Sequence, residues 1–436
     1  MKLSAVTKAL AAVGLTVMSI PAVQAEEATM DFEFHGYARA GVFSSASNDF
    51  TQVPYAGQKE TLGRLGLEAD DFWELAFMNR WDWSESDKSV RINARLGQDN
   101  PNGNGSNGFA NIDGKATGLI EAFVEFDGVT SSGTLWGGQR YYGRDNYIFM
   151  TDFFYTDYSG TGVGVQNMEL GNGAWDFAYI ASNQSETSND NAKLNEMLHA
   201  LHVRADYGQW RIEALAKYMA DNVNGDEYAT SGVEANIAYN PEGFFALGEG
   251  FSTVSLQTGM GLGSGAMLGR TFTNYNAFSP GSYAFSGDNQ GEMTKVKDDD
   301  ISVRIQAYGG LFAGDWLFFP AVGYEYTDYD GINTIRSSDG EKDYSYWYAM
   351  VRPVYTMPSI DNFVIASEFG YTDSSIADDA TYKATIAPTW TVDTGFGPAP
   401  EIRLLATYIQ GSEGVSGGNP TKDSDVIVGA QIDMWW

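Results

Sequence analysis

Every second connection in this chain is short, and the connections between them are long. Alternation of apolar and polar residues, read together with turn residues, gives eighteen strands, near 31–44, 64–83, 88–98, 118–127, 134–142, 161–171, 174–184, 196–207, 209–219, 231–240, 251–261, 299–312, 316–328, 344–356, 361–373, 381–393, 400–411 and 425–436. Short links fall at 84–87, 172–173, 207–208, 313–315 and 357–360. Long polar links fall at 45–63, 98–117, 143–160, 185–195, 262–298, 329–343 and 412–424. Tight turns at one end and long loops at the other describe an outer-membrane barrel. An even strand count leaves both termini on the short-turn side.

The alternation also has a direction. In 31–43, Glu33, His35, Tyr37 and Arg39 share one face and Phe32, Phe34, Ala38, Ala40 and Val42 the other. In 72–83, Phe72, Glu74, Arg80 and Asp82 oppose Trp73, Leu75, Phe77, Trp81 and Trp83. In 425–436, Asp425, Gln431, Asp433 and Trp435 oppose Val426, Val428, Ile432, Met434 and Trp436. A soluble sandwich encloses its apolar faces in a shared core. A membrane barrel turns them to lipid and keeps the polar face in a watery lumen. Periodicity alone does not separate the two; the loop pattern and the terminal Trp436 favour the membrane. The fold expected is therefore all-β, an 18-stranded antiparallel transmembrane β-barrel with long extracellular loops and short periplasmic turns.

The N-terminus sets the compartment. Lys2 and Lys8 precede an apolar run at 9–20, too short to span a bilayer, and Ala22-Val23-Gln24-Ala25 offers a small-residue cleavage site. Residues 1–25 read as a secretory signal peptide and 26–436 as one barrel domain of the outer membrane, in contact with its lipid. There is no cysteine, so no disulfide framework is available to an exported chain. With 26 basic and 57 acidic residues the net charge is −31, which argues against nucleic acid and against an anionic substrate.

One stretch carries the functional signal. Residues 139–158, QRYYGRDNYIFMTDFFYTDY, interleave Arg140 and Arg144 with Asp145, Asp152 and Asp157 and with eight aromatic rings. Apolar ring faces beside planar charged groups suit a sugar, whose C–H faces stack and whose hydroxyls need donors and acceptors. An aromatic girdle at a membrane surface has a similar composition. Strand parity adds Tyr37, Phe72 and Trp435 to the polar, lumenal face, either as filler against an inward loop or as a stacking surface for a passing ligand.

Catalysis finds little support. The only histidines are His35, His199 and His202, with no nucleophile motif beside them. The many acids do not exclude paired carboxylates for glycoside hydrolysis. No metal site or cofactor is expected with no Cys and so few His. Asp298-Asp299-Asp300 reads as a solvated loop edge, and the glycine-rich piece at 97–108 lacks the context of a phosphate loop. The chain reads as a non-enzyme.

Several pieces together resemble the maltoporins, the 18-stranded trimeric sugar channels of Gram-negative outer membranes. They are HGYARAG at 35–41, RLG at 64–66 followed by FWEL at 72–75, RYYGR at 140–144, DFFYTDYSGTGVG at 152–164, RLLATY at 403–408 and the closing GAQIDMWW at 429–436. The resemblance runs from about residue 31 to the end, with large loop differences. It implies a lumenal path of aromatics made here by Tyr37, Phe72, Phe154, Phe251, Phe396 and Trp435, with Phe109 at the extracellular end. It also implies charged partners at Arg39, Arg64, Glu74, Arg144, Asp145, Asp152 and Asp157.

Departures from the family pattern are specific. Phe72 and Phe154 stand where the family has tyrosine. Ile120 replaces an arginine before Glu121-Ala122, and Ala69 replaces a cysteine. The expected function is passive diffusion of sugars, most simply maltose and maltooligosaccharides, through a homotrimer that needs no cofactor. A general or other-carbohydrate porin of low selectivity is the competing expectation.

Overall fold

The structure is a computed structural model that describes residues 28–53, 59–68, 71–83, 86–100, 118–151, 153–183, 197–222, 225–271, 295–328, 343–375, 379–392, 400–411 and 423–436. The expected signal peptide lies outside them. The strands in chain order are β1 (Ala28–Ser45), β2 (Thr51–Gln52), β3 (Asp71–Trp83), β4 (Ser89–Asn100), β5 (Gly118–Asp127), β6 (Thr134–Arg140), β7 (Asp145–Ile148), β8 (Phe153–Thr156), β9 (Gly160–Leu170), β10 (Gly173–Asn183), β11 (Met197–Tyr207), β12 (Trp210–Tyr218), β13 (Ser231–Tyr239), β14 (Gly250–Gly261), β15 (Ile301–Ala313), β16 (Trp316–Asp328), β17 (Asp343–Thr356), β18 (Phe363–Ser374), β19 (Thr381–Thr391), β20 (Glu401–Gln410) and β21 (Ser424–Trp435).

All but β2, β7 and β8 form one antiparallel sheet of 18 strands. Each strand pairs with its neighbours in order, and β1 closes the ring by pairing with β3 on one side and β21 on the other. Closure leaves no open sheet edge, the condition for crossing a bilayer with strands. No described helix is long and apolar enough to cross a membrane.

Burial decides between sandwich and membrane barrel. Along β12, Trp210, Ile212 and Tyr218 are exposed while Glu213, Leu215 and Lys217 are enclosed. Along β20, Ile402, Leu404 and Tyr408 are exposed while Arg403 and Thr407 are enclosed. The enclosed face carries the charges and the outer face the hydrocarbon, the reverse of a soluble core. Trp73 and Trp81 pair with Ala38 and Met30 on that outer face, and Trp436 lies over Gly36 against Phe34, ring centroids 5.9 Å apart.

At one end the strands turn tightly. Gly171, Gly208 and Gly314 have φ of 64, 58 and 63° and each opens a two-residue turn. Positive φ at the first central position of such a hairpin needs glycine, and the turn twists with the strands. Two of these turns sit one residue from the expected 172–173 and 207–208, because the glycine occupies the first corner.

Three segments of the long-loop end pack inside the barrel. The first corrects the expected second strand, which begins at Asp71 and not at 64. Residues Lys59–Leu62 form a helical turn, and Gly63 and Gly66 bend the chain with φ of 88 and 76°. A Cβ on Gly66 would collide with Thr407, and one on Gly63 with Glu368, so these glycines let the backbone touch the inner wall. Leu62, Leu65 and Leu67 join Phe43, Leu405, Ile409 and Ile427 in a buried cluster. Each buried leucine stabilises this docking by roughly 1.5–3 kcal/mol as an upper figure. Lys383 Nζ caps the bend by donating to the carbonyls of Gly63 and Leu65 at 2.6 and 2.8 Å.

The second inner segment is the β7–β8 hairpin. The third, 261–271, holds it from behind: Asp157 N–H donates to the Gly269 carbonyl at 2.8 Å, and Gly269 N–H donates to Glu234 at 2.6 Å.

Candidate functional site: a ring-and-charge surface in the lumen

The first group of rings lies where β1, β3 and β21 meet. Tyr37 pairs across the sheet with Glu74 and Trp435, and Arg39 pairs with Phe72 and Asp433. This register puts the Tyr37 and Phe72 rings 5.7 Å apart at 52°, with the Arg39 guanidinium 5.0 Å from the Phe72 ring and 5.8 Å from that of Tyr37. Arg64, delivered by the inner segment 59–68, donates to Tyr37 Oη at 2.9 Å and to Asp433 Oδ2 at 2.7 Å.

Glu68 ties these cations together. Its carboxylate accepts from Arg64 Nε at 2.6 Å, lies 3.4 Å from Arg39 and contacts Lys59. Burial alone would raise its pKa, but the charges of Arg39, Arg64 and Lys59 outweigh that and hold it far below the usual carboxylate range.

A second group sits on the hairpin. The Arg144 guanidinium carbon lies 3.2 Å from the Tyr141 ring centroid and 4.9 Å from that of Phe154. Its Nε donates to Asp157 Oδ2 at 3.0 Å, which fixes the plane of the group. Phe154 stacks on Tyr147 with centroids 4.5 Å apart. Tyr141 Oη donates to Glu74 at 2.6 Å, and Arg95 binds both Glu74 and Glu121. Glu74 thus joins the hairpin to the strand that carries Phe72.

The remaining expected residues fall elsewhere. Asp145 lies with Arg204 and Arg211 and pins the hairpin to β11 and β12. Phe251 faces the lumen from β14, about a third exposed, beside Phe312 at 6.3 Å. Trp435 lines a small cavity with Phe149, Phe319, Arg352 and Arg403. Phe109, Asp152 and Phe396 lie outside the described residues. Ile120 turns inward over Gly97 at a bulge in the β4–β5 pairing.

Sequence reasoning passed over Tyr141, Tyr147, Phe149 and Phe319 as individual site residues. Parity could have found Phe319, since it shares the inner face of β16 with Glu325 and Thr327. Tyr147 shows itself only through the register of the hairpin, where it pairs with Phe154.

A family model described as LamB porin matches residues 32–436. The chain belongs to the LamB porin family. Relatives include the protein named Maltoporin in two strains of Vibrio cholerae serotype O1. Both are 26% identical over 451 aligned residues, covering 97% of this chain and 99% or 98% of the relative. Among solved structures, an anion-selective porin from Comamonas acidovorans is 8% identical with a TM-score of 0.47, covering 94% of this chain and 100% of the other. OpdK from Pseudomonas aeruginosa, solved with vanillate, is 10% identical with a TM-score of 0.46, covering 93% and 98%. The trimer form of OmpT from Vibrio cholerae is 10% identical with a TM-score of 0.40, covering 94% and 100%. At these scores the neighbours say nothing about what this chain carries. A closed 18-strand barrel of the LamB porin family fits an outer membrane, and the family is one of channels rather than enzymes.

Proposed function

We propose that this LamB-family porin passes sugars by facilitated diffusion, with maltose and maltooligosaccharides as its preferred cargo. The observation that carries the reading is the Tyr37–Phe72 pair beside Arg39 and Arg64, with the Tyr147–Phe154 stack and Arg144 on the facing hairpin. Both groups lie on the enclosed face of a closed barrel, where water and solute pass. Rings offer faces to the C–H side of a pyranose, and the flanking guanidinium and carboxylate groups exchange hydrogen bonds with its hydroxyls. One stacking contact is worth about 1 kcal/mol, so each site along the row admits and releases a sugar readily. The name of the Vibrio cholerae relatives, and the motifs shared with maltoporins, support the choice of cargo. The same kinship supports assembly as a homotrimer in the outer membrane, and the basic start, apolar run and small-residue site at 1–25 support export by an N-terminal leader.

The test is reconstitution in planar bilayers and block of ion current by a sugar panel. Maltotriose and longer maltooligosaccharides should block reversibly at concentrations well below those needed for sucrose or cellobiose. Equal, weak effects of all sugars would leave a general diffusion porin.

A further inference from the structure

A cavity of about 350 Å³ opens between the tip of the β7–β8 hairpin and the wall made by β14, β15 and β16. Tyr147, Ile148, Phe149 and Met150 form one side, and Phe251, Tyr308 and Phe319 the other. Among the described residues, no charged side chain lines it. That is unlike the inner surface around Tyr37 and Phe72, where Arg39, Arg64, Glu68 and Asp433 meet. Ile148, Met150, Tyr308 and Phe319 are all buried, whereas Phe251 at its edge stays partly exposed to the lumen. Gly309 lines the cavity, and a side chain on its neighbour Gly310 would press on both the Phe251 and Phe319 rings. The wall is therefore thinned where those rings converge.

A bare sugar suits such a space poorly. Its hydroxyls would lose water and, among the described lining side chains, find only the Tyr147 and Tyr308 hydroxyls as partners. A benzene-sized group fits, since dry apolar cavities of about 150 Å³ take up benzene. The cavity also adjoins the row of rings: Tyr147 lines it and stacks on Phe154, and Phe251 stands at its mouth. We propose that this cavity is a subsite for an apolar aglycone, so that the channel takes glycosides bearing a ring-sized apolar substituent more tightly than the bare sugar. The inference rests on the sugar-channel reading and narrows its substrate class.

The experiment compares maltose, methyl α-maltoside and phenyl α-maltoside as blockers of ion current through the reconstituted full-length protein. The two glycosides share the sugar and the glycosidic cap and differ by the ring. Phenyl α-maltoside should block at roughly tenfold lower concentration than methyl α-maltoside, the effect of burying most of one phenyl face. Phe319→Trp, which extends a larger ring into the cavity, should erase that advantage. Equal block by the two glycosides in the parent channel, or an advantage undiminished in Phe319→Trp, overturns the subsite. If maltose itself fails to block, the sugar-channel reading falls, and that result is separate from equality between the glycosides.

Discussion

Replacing Phe72 or Phe154 by alanine tests the ring surface directly. Phe72 faces Tyr37 at 5.7 Å and lies beneath Arg39, whereas Phe154 stacks on Tyr147 and lies beside Arg144. Neither ring holds the barrel closed. Phe72 is on a strand whose pairing is made by backbone, and the hairpin keeps Arg144–Asp157 and Asp145 with Arg204 after Phe154 is cut back. The loss to a bound sugar is then one stacking contact, about 1 kcal/mol, which is roughly a fivefold rise in the concentration for half-maximal block. Small-ion conductance should persist or increase, because a ring leaves the lumen and no charge changes. Phe→Tyr at either position should leave block intact or tighten it, since the ring remains and a hydroxyl returns. Bilayer recordings give both readouts from one channel, and heat-resistant mobility in detergent gels reports that the barrel is folded. Folded alanine variants that bind maltotriose as well as the parent would refute the stacking surface.

Three further outcomes follow from the charge network. Glu68→Gln leaves Arg39, Arg64 and Lys59 around a neutral amide; breaking a buried pair of this kind costs about 3 kcal/mol, and release of segment 59–68 should appear as larger, noisier ion currents, so that unchanged currents count against it. Because the Glu68 pKa is depressed in the folded chain, its contribution to docking is fully present above its ordinary value of 4.5 and is lost as pH falls from there through the lower folded value; release of segment 59–68 should therefore not set in between neutral pH and 4.5, and larger, noisier currents within that range would contradict the assignment. Segment 143–160, whose charges and rings suit neither lipid nor bulk solvent, is expected to narrow the pore; Arg144→Ala should then change ion conductance more than Arg336→Ala, because Arg144 stands between Tyr141 and Phe154, and equal effects would count against that role.

The barrel was legible because a strand between lipid and water must alternate, and because its two ends are built differently. Both signals survive without any knowledge of packing. The inward packing of the hairpin within 143–160 was legible from its rings and charges; what escaped were the inner segments 59–68 and 261–271. A polar inner face is the rule only where water fills the space, and here Leu62, Leu65 and Leu67 meet inward-facing Leu405, Ile409 and Ala387. Those wall residues look like errors of pattern until the inner segment is seen to cover them. The segment itself reads as strand from residue 64 because Arg64, Leu65, Gly66 and Leu67 alternate. Two glycines at positive φ break that reading, and nothing in the alternation reveals their φ. At Ile120 a bulge adds one residue to β5, so that it turns inward beside inward-facing Glu121, an orientation simple alternation does not give.

The site was legible ring by ring but not pair by pair. Parity put Tyr37 and Phe72 inside; their meeting required the β1–β3 register, which sets Arg39 opposite Phe72. The bonding of those charges bears on how such a channel would work. Tyr37 Oη accepts from Arg64, Arg64 is held by Asp433 and Glu68, and Asp433 also takes Arg403. A hydroxyl arriving at the Arg64 guanidinium exchanges one existing bond for another. Bare cations aimed at the lumen would gain a full charge-assisted bond of roughly 1.5–3 kcal/mol with each hydroxyl and would hold the sugar where it bound. Cations already satisfied within the protein gain only the difference between two bonds. Under the proposed function, the rings would supply attraction with no directional demand and the charges partners at small net gain, so that the lumen would bind a sugar without retaining it.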